Sequence, residues 1–327
     1  SGVPRQVTRS ETTRLTVLGS GSAMPTPGRA QSGYLLEAYD SDAETDRALL
    51  VDCGSGVLGR LTETSVGYEG VSTVLVTHHH LDHVASLLPL VKARWLAGET
   101  HLEVIGPTGT KALVDGLLDV HDYLDGRIDL AIREVPAGRP FTAGGFGVIG
   151  RETRHSMPCL AYRISPPDHS TEPATGPVTL SGDTEAFAGL ARFADGSDLL
   201  VHDCSFPDEV DVSNHPTPTT LGQSLAGVDV ETLVCSHLYP HTTGREDEMA
   251  ASVRAAGFDG TVRFATARLT VSVLPARVWR GGSSRLSFAS VCPPVARAPG
   301  PSLATPSFHA SPYFVWFLLP RFLPAFL

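Results

Sequence analysis

Lysine is nearly missing from this chain: Lys92 and Lys111 are the two among 327 residues. Acidic side chains stop at Asp259, so none occurs in the last fifth of the sequence. Positions 1 to 13, SGVPRQVTRSETT, lack the apolar stretch of a secretory signal. The five cysteines, Cys53, Cys159, Cys204, Cys235 and Cys292, form no C-x-x-C pair and no close spacing, which argues against a disulfide scaffold. No hydrophobic run is long enough to span a bilayer; Tyr313 to Leu319 comes nearest, and Pro320 and Arg321 interrupt it. These absences predict a cytoplasmic protein in a reducing compartment, without membrane attachment.

What remains is strongly acidic in its body. Residues 1 to 259 carry eighteen basic against thirty-five acidic side chains, a formal charge of −17, while the whole chain stands at −10. Such a surface stays hydrated at high ionic strength, as in halophile-like proteins. A GC-rich coding bias would account for arginine over lysine but not for the excess of acid. Nonspecific nucleic-acid binding through a basic surface is thereby disfavoured.

The length, with 42% hydrophobic and 18% charged residues, suits one large domain or one domain plus an appendage. Short β-branched runs predict strands at Leu15 to Leu18, Gly33 to Glu37, Ala48 to Val51, Thr73 to Thr77, Leu102 to Ile105, Leu160 to Ile164, Val178 to Ser181, Leu199 to Asp203 and Thr232 to Ser236. Helical spacing predicts helices at Val84 to Leu96, Gly109 to Val120, Glu185 to Phe193, Thr219 to Ala226 and Arg245 to Ala255. Strands come first as hairpins and later alternate with helices, which predicts layered sheets with helices outside. The organisation read from this is a flexible N-terminus over 1–13, one large folded domain over 14–274, and a Pro/Ser/Arg-rich tail over 275–327. That tail reads as a non-native or disordered extension, out-of-frame translation among its origins, in preference to a packed segment or a membrane-surface anchor.

Chemistry concentrates in His78-His79-His80-Leu81-Asp82-His83, where five of six residues are His or Asp, directly after the strand at Thr73. Alternate side chains of an extended segment share a face, so His78 and His80 can meet one metal ion. Asp82 and His83, at the turn into the following helix, can reach a second. Imidazole nitrogen with carboxylate oxygen is the ligand set expected for Zn2+, with Mn2+, Fe2+ or Co2+ as poorer fits. A solvated His-rich loop or a tag would not carry this spacing at a strand end.

The motif resembles that of the metallo-β-lactamase superfamily, whose fold is a four-layered αββα sandwich with metals at the sheet edge. The resemblance covers about Leu15 to Leu274 and extends to three later segments in order: His155 in Arg154-His155-Ser156-Met157-Pro158, Asp183 in Ser181-Gly182-Asp183-Thr184, and His237 in Ser236-His237-Leu238-Tyr239-Pro240. By that resemblance the metal ligands are His78, His80, Asp82, His83, His155, Asp183 and His237, with Asp183 bridging two ions. Asp82 would also orient the attacking water or take its proton. His215, in Asn214-His215-Pro216-Thr217, is similar in position to the proton-donating histidine of ribonuclease Z-like members and is the candidate general acid. His79 and His202 are read as residues behind the ligands, with purely structural roles open for both.

The resemblance further implies a dinuclear zinc hydrolase in which two ions lower the pKa of a shared water to near neutrality. The loop Ser20 to Gln31 looks like a substrate-side wall, with Ser20, Ser22 and Pro25 as contacts, and Tyr239 and His241 border the same pocket. Two departures separate the chain from tRNA-processing ribonuclease Z. Asp52-Cys53-Gly54-Ser55 lacks the Glu and Gln that usually follow, and only 20 positions separate Tyr162 from Gly182, too few for the long tRNA-gripping arm. His237 to Asp247 resembles instead the small-molecule, cyclic-nucleotide-type phosphodiesterase branch. The expected function is therefore phosphodiester hydrolysis on a small substrate. Alternatives are arylsulfatase or ribonuclease Z-type action, lactone or β-lactam hydrolysis, and a non-enzymatic zinc sensor. Nucleic acid is a less favoured partner, and a homodimer is an assembly the resemblance allows.

Overall fold

A computed structural model of the chain describes residues 13–40, 43–167, 176–210 and 212–273. By its contacts the chain divides into Ser1–Arg280 and Gly281–Leu327, and every described residue lies in the first unit. The expectations for the N-terminus and for the tail over 275–327 lie outside the described residues.

The first sheet begins as the meander β1 (Thr13–Gly19), β2 (Gly33–Asp40) and β3 (Thr45–Val51), antiparallel with Leu15 opposite Leu36 and Leu35 opposite Leu50. It continues in parallel through β4 (Thr73–Leu75), β5 (His101–Gly106) and β6 (Asp129–Glu134). The second sheet repeats the plan. β7 (Pro140–Ala143), β8 (Phe146–Glu152), β9 (Leu160–Ser165) and β10 (Val178–Leu180) are antiparallel, and β11 (Ser197–Asp203), β12 (Val230–Ser236) and β13 (Thr261–Phe264) follow in parallel. The last strand, β14 (Thr270–Val273), returns to pair antiparallel with β1.

Parallel neighbours need crossovers, and helices supply them. α1 (Val57–Leu61), α2 (Leu81–Val84), α3 (Leu87–Leu96) and α4 (Thr110–Val120) belong to the first half, and α5 (Ala188–Ala194), α6 (Pro218–Leu225) and α7 (Glu246–Ala255) to the second. Side-chain alternation along the strands then sorts the core into three seams. Leu15, Val17, Leu36 and Leu75 meet Phe146, Tyr162, Leu180 and Val201 between the sheets. Leu35, Leu50, Val74 and Val104 face Leu87, Leu90, Val91 and Val114 on the helices of the first half. Leu200, Leu233 and Cys235 face Leu221, Leu225, Met249 and Val253 in the second. Helix, sheet, sheet, helix is the four-layered αββα sandwich that the resemblance implied. Strands covered on both faces explain the unbroken apolar runs Ala48–Val51 and Leu199–Val201.

Two expected helices are corrected. Val84 to Leu96 is two pieces, interrupted at Ala85 and Ser86, because the Ser86 N–H leaves the helix to donate to the Cys53 carbonyl (2.8 Å) while the Cys53 N–H donates to the His83 carbonyl (2.7 Å). The helix expected from Glu185 starts at Ala188, since the Glu185 N–H is drawn to the Arg154 carbonyl at 3.0 Å. Five strands were not anticipated. β7 and β8 form a hairpin whose turn, Gly144-Gly145, has φ of 56° and 90° at both residues, a conformation that glycine adopts without strain. β6, β13 and β14 are edge or near-edge strands with mixed burial, which blurs their period. Among the described residues no helix is long and apolar enough to cross a membrane.

Candidate metal centre

Parallel strands put their C-terminal ends on one edge, and here the segments after β3, β4, β10, β11 and β12 converge there. Asp52, the His78 to His83 segment, Asp183, Asp203 and His237 stand at those ends, and the β8–β9 connection adds His155. The chain turns sharply at three of these exits: Asp52, Gly182 and His237 have φ of 59°, 59° and 57°. For Asp52 and His237 the left-handed conformation costs about 1–2 kcal/mol each, a strain of the kind that functional sites hold. At Gly182 glycine is required on space as well, because a Cβ would lie 3.0 Å from Cys159 Sγ and 3.2 Å from Thr77 Cβ.

Six side chains and a shared carboxylate gather in two clusters. In the first, His80 Nδ1 lies 3.1 Å from His78 Nε2 and 3.1 Å from His155 Nε2, and Asp183 Oδ2 lies 3.6 Å from His78 Nε2 and 3.9 Å from His155 Nε2. In the second, Asp82 Oδ2 lies 3.1 Å from His237 Nε2 and 3.6 Å from His83 Nε2. Asp183 touches this cluster too, at 3.2 Å from His237 Nε2 and 3.3 Å from His83 Nε2. All seven residues predicted as ligands are thus brought together, and either cluster can hold a cation.

The spacing of the donors is compatible with a metal ion between them. Ligand atoms around tetrahedral zinc with bonds near 2.0–2.1 Å stand about 3.3 Å apart, close to the spacings here. The outer hydrogen bonds also fix the tautomers. Thr77 Oγ1 donates to Asp52 Oδ2 (2.8 Å) and so accepts from His78 Nδ1 (3.1 Å), and His83 Nδ1 donates to Asp52 Oδ2 (2.8 Å). Ser205 Oγ donates to Asp203 Oδ1 (2.6 Å) and accepts from His237 Nδ1 (2.9 Å). Each arrangement leaves an Nε2 lone pair aimed into the cluster. His83 Nε2 is buried and makes no acceptable hydrogen bond, although both carboxylates are near, which is the orphaned state expected of a ligand atom.

Titration behaviour follows from the same crowding. Burial, reinforced by the charge of His83, pushes His78 well below the ordinary imidazole range, and burial lowers His155. Burial would raise Asp183, but the charges of His237, His83 and His78 outweigh it and hold the carboxylate well below its usual range. Burial opposes a charge on His83, yet Asp183 and Asp52 overcome it and raise this imidazole well above its usual value. The carboxylate field that binds a proton there would equally draw in a cation.

The remaining predicted residues fall around this centre. His215 stands two residues before Thr217, which caps α6. Its Nδ1 donates to Asp203 Oδ2 at 2.7 Å, and its ring packs 5.3 Å from His237 and 5.7 Å from His155. Burial disfavours its charge, but the hydrogen bond and charge of Asp203 prevail and raise its pKa. His79 points away, to Thr110 Oγ1 at 2.9 Å. His202 is buried and its Nδ1 is held by the Asp203 carbonyl at 2.7 Å. Ser20 holds the Leu238 N–H with its carbonyl (2.8 Å), Ser22 Oγ is buried without a partner, and Pro25 is exposed. Tyr239 is half-buried, its phenol pushed up to about 12 by burial and by Asp183, Asp82 and Asp203, while His241 is exposed. Missed at the sequence level were Asp52, Asp203, Ser205 and Phe206. A lone Asp at a strand end reads as a turn, and only the partners reveal its work.

A family model described as Beta-lactamase superfamily domain matches residues 47–238. A ribonuclease Z of Mycobacterium avium is 31% identical over 275 residues, 76% of this chain and 94% of that protein. The crystal structure of the metallo-beta-lactamase fold protein YhfI from Bacillus subtilis superposes with a TM-score of 0.66 at 25% identity, over 80% of this chain and 99% of that one. Human tRNase Z, short form, shares the fold with a TM-score of 0.62 at 18% identity, over 80% and 99%.

Proposed function

We propose that this chain, which belongs to the beta-lactamase superfamily and within it to the ribonuclease Z-like branch, is a dinuclear zinc phosphodiesterase acting on a small phosphodiester. The observation that carries this is Asp183, buried between two clusters of metal-directed donors. His78, His80 and His155 would hold one ion, Asp82, His83 and His237 the other, and Asp183 both, within a hydrolase domain over 14–274. Two bound ions would supply a water acidic enough to attack at neutral pH and would neutralise charge on the phosphoryl oxygens.

The protein's own groups do the rest. Burial would raise Asp82, but the close approach of His237 (3.1 Å) and the charge of His83 outweigh it and hold the carboxyl below its usual range, so it is an anion ready to orient the attacking water. His215, protonated by favour of Asp203, gives its Nε2 proton to the departing ester oxygen, and Asp203 steadies the ring throughout. His237 and His83 keep their outer nitrogens on Ser205 and Asp52, so neither ring can turn away.

Bis-p-nitrophenyl phosphate, p-nitrocatechol sulfate, nitrocefin and an acyl-homoserine lactone, assayed side by side with metal counted per chain, test this. The diester should be turned over fastest at two ions per chain. Turnover of none of them at that occupancy would overturn the phosphodiesterase assignment and leave a zinc-binding sensor. A second function, ribonuclease Z-type RNA cleavage, is favoured by the similarity to the mycobacterial ribonuclease Z. Cleavage of a tRNA with a 3′ trailer at a rate well above that of the small diester would establish it instead.

A further inference from the structure

We propose that one water molecule is bound between the two sheets, behind the metal centre, where it joins Asp52 of the first half to Asp203 of the second. The inference stands on buried donors and acceptors, whichever ester the centre hydrolyses.

Strand register brings the partners together. Tyr34 lies opposite Val51, with Asp52 the next residue, and Asp203 lies opposite Ser236. The two pairs meet across the sheets, where Tyr34 Oη and Ser236 Oγ are 2.7 Å apart. A cavity of ≈ 20 Å³ lies at this junction, lined by Ser32, Tyr34, Asp52, Asp203 and Ser236, with Leu180 and Val201 as its apolar wall. The predicted ligands His83, Asp183 and His237 border it, but His78, His80, Asp82 and His155 do not, so it lies behind the donor clusters rather than within them. Room for one water takes about 10–15 Å³.

Counting hydrogen bonds identifies the occupant. Ser32 Oγ is buried without a partner among the described residues, and the Ser32 carbonyl, accepting from Gly54 N–H at 2.9 Å, holds the residue in place. Within the pair of Tyr34 and Ser236 one hydroxyl gives its proton to the other, which leaves the second proton to be placed. Two buried O–H donors therefore want an acceptor. Asp52 accepts from Thr77 N–H, Thr77 Oγ1 and His83 Nδ1, and Asp203 from Thr184 N–H, Ser205 Oγ and His215 Nδ1. An ionised carboxylate offers about four lone-pair sites, so each keeps one. Two donors and two acceptors around one small space are the complement of a water molecule, which accepts two hydrogen bonds and gives two. A cation would leave both hydroxyl protons unplaced, and an anion would repel both carboxylates. The water ties the carboxylate behind His83 to the one behind His215, so that a shift of either is felt by the other.

A crystal structure of the zinc-loaded protein at about 1.2 Å resolution tests the site, and chelator competition reads its consequence. The density should hold one peak without anomalous signal, within about 2.5–3.2 Å of Ser32 Oγ, of Asp52 and of Asp203. Ser32→Val carries two methyl groups into the cavity, so it should remove the peak and weaken zinc binding by about tenfold. Ser32→Ala takes away one donor and leaves the space, so it should keep the peak and lose less zinc affinity than Ser32→Val. On zinc affinity, Asp52→Asn and Asp203→Asn should combine to a loss at least about threefold away from the product of their separate losses. A water that only filled space would leave that product unchanged, and this result would overturn the bridge. A native map with no peak, a peak with anomalous signal, or zinc affinity unchanged in Ser32→Val would also overturn it. The native map and the aspartate pair decide the question even where Ser32→Val does not fold.

Discussion

Asp52 and Asp203 occupy matching places in the two halves of the molecule, each just past or at the end of a strand beside the site. Each accepts from one backbone N–H, one hydroxyl and one imidazole: Thr77 N, Thr77 Oγ1 and His83 Nδ1 for Asp52, and Thr184 N, Ser205 Oγ and His215 Nδ1 for Asp203. What differs is the histidine. The His83 side chain is 2% exposed and its far nitrogen is closed in by Asp82 and Asp183, whereas that of His215 is 10% exposed and stands beside the pocket rings. One device thus serves two ends. On the proposed function, a buried carboxylate behind a histidine would make a rigid metal ligand where the ring faces carboxylates, and a proton donor where the ring faces the pocket.

The comparison can be broken at the carboxylate both clusters share. Asp183→Ala should lower kcat for bis-p-nitrophenyl phosphate by more than about 10³-fold, with metal per chain falling and the circular dichroism of the fold retained. His215→Ala should lower kcat by about 10²–10⁴-fold at unchanged metal content, seen by steady-state kinetics alongside elemental analysis. Loss of metal in that variant would make His215 a ligand and erase the distinction drawn here. The paired variants Asp52→Asn and Asp203→Asn sharpen it: the first should weaken zinc binding by about 10–100-fold in chelator competition, while the second should lower kcat with a smaller loss of zinc. The smallest effect expected is on stability. Gly182→Ala forces a side chain into a left-handed position against Cys159 and Thr77, at about 1–3 kcal/mol, which thermal unfolding would record as a Tm lower by several degrees.

Legibility in the sequence divided along the same line. The first half places its predicted ligands in six consecutive residues, so His78, His80, Asp82 and His83 could be read from spacing at one strand end. The second half supplies one residue per strand end, and His155, Asp183 and His237 were legible only as a resemblance of ordered motifs. Asp203 escaped because His202, one residue earlier, drew attention by its type. That histidine spends its Nδ1 on a neighbouring carbonyl, while the aspartate holds the site. In the fold, the strongly apolar central strands were plain. The Gly144-Gly145 hairpin was not, because Gly147 and Gly150 dilute the alternation of β8 even as Phe146 and Val148 pack inward. The break at Ala85 and Ser86 could not be foreseen from helical periodicity, since its cause is the backbone of Cys53, 33 residues before Ser86 in sequence.

The central claim is that two metal ions share Asp183. Crystals grown with zinc and measured at the zinc absorption edge test it directly. The anomalous difference map should hold two peaks about 3.5–4 Å apart flanking the Asp183 carboxylate, one beside His78, His80 and His155 and the other beside Asp82, His83 and His237. A single peak, or peaks away from Asp183, would contradict it.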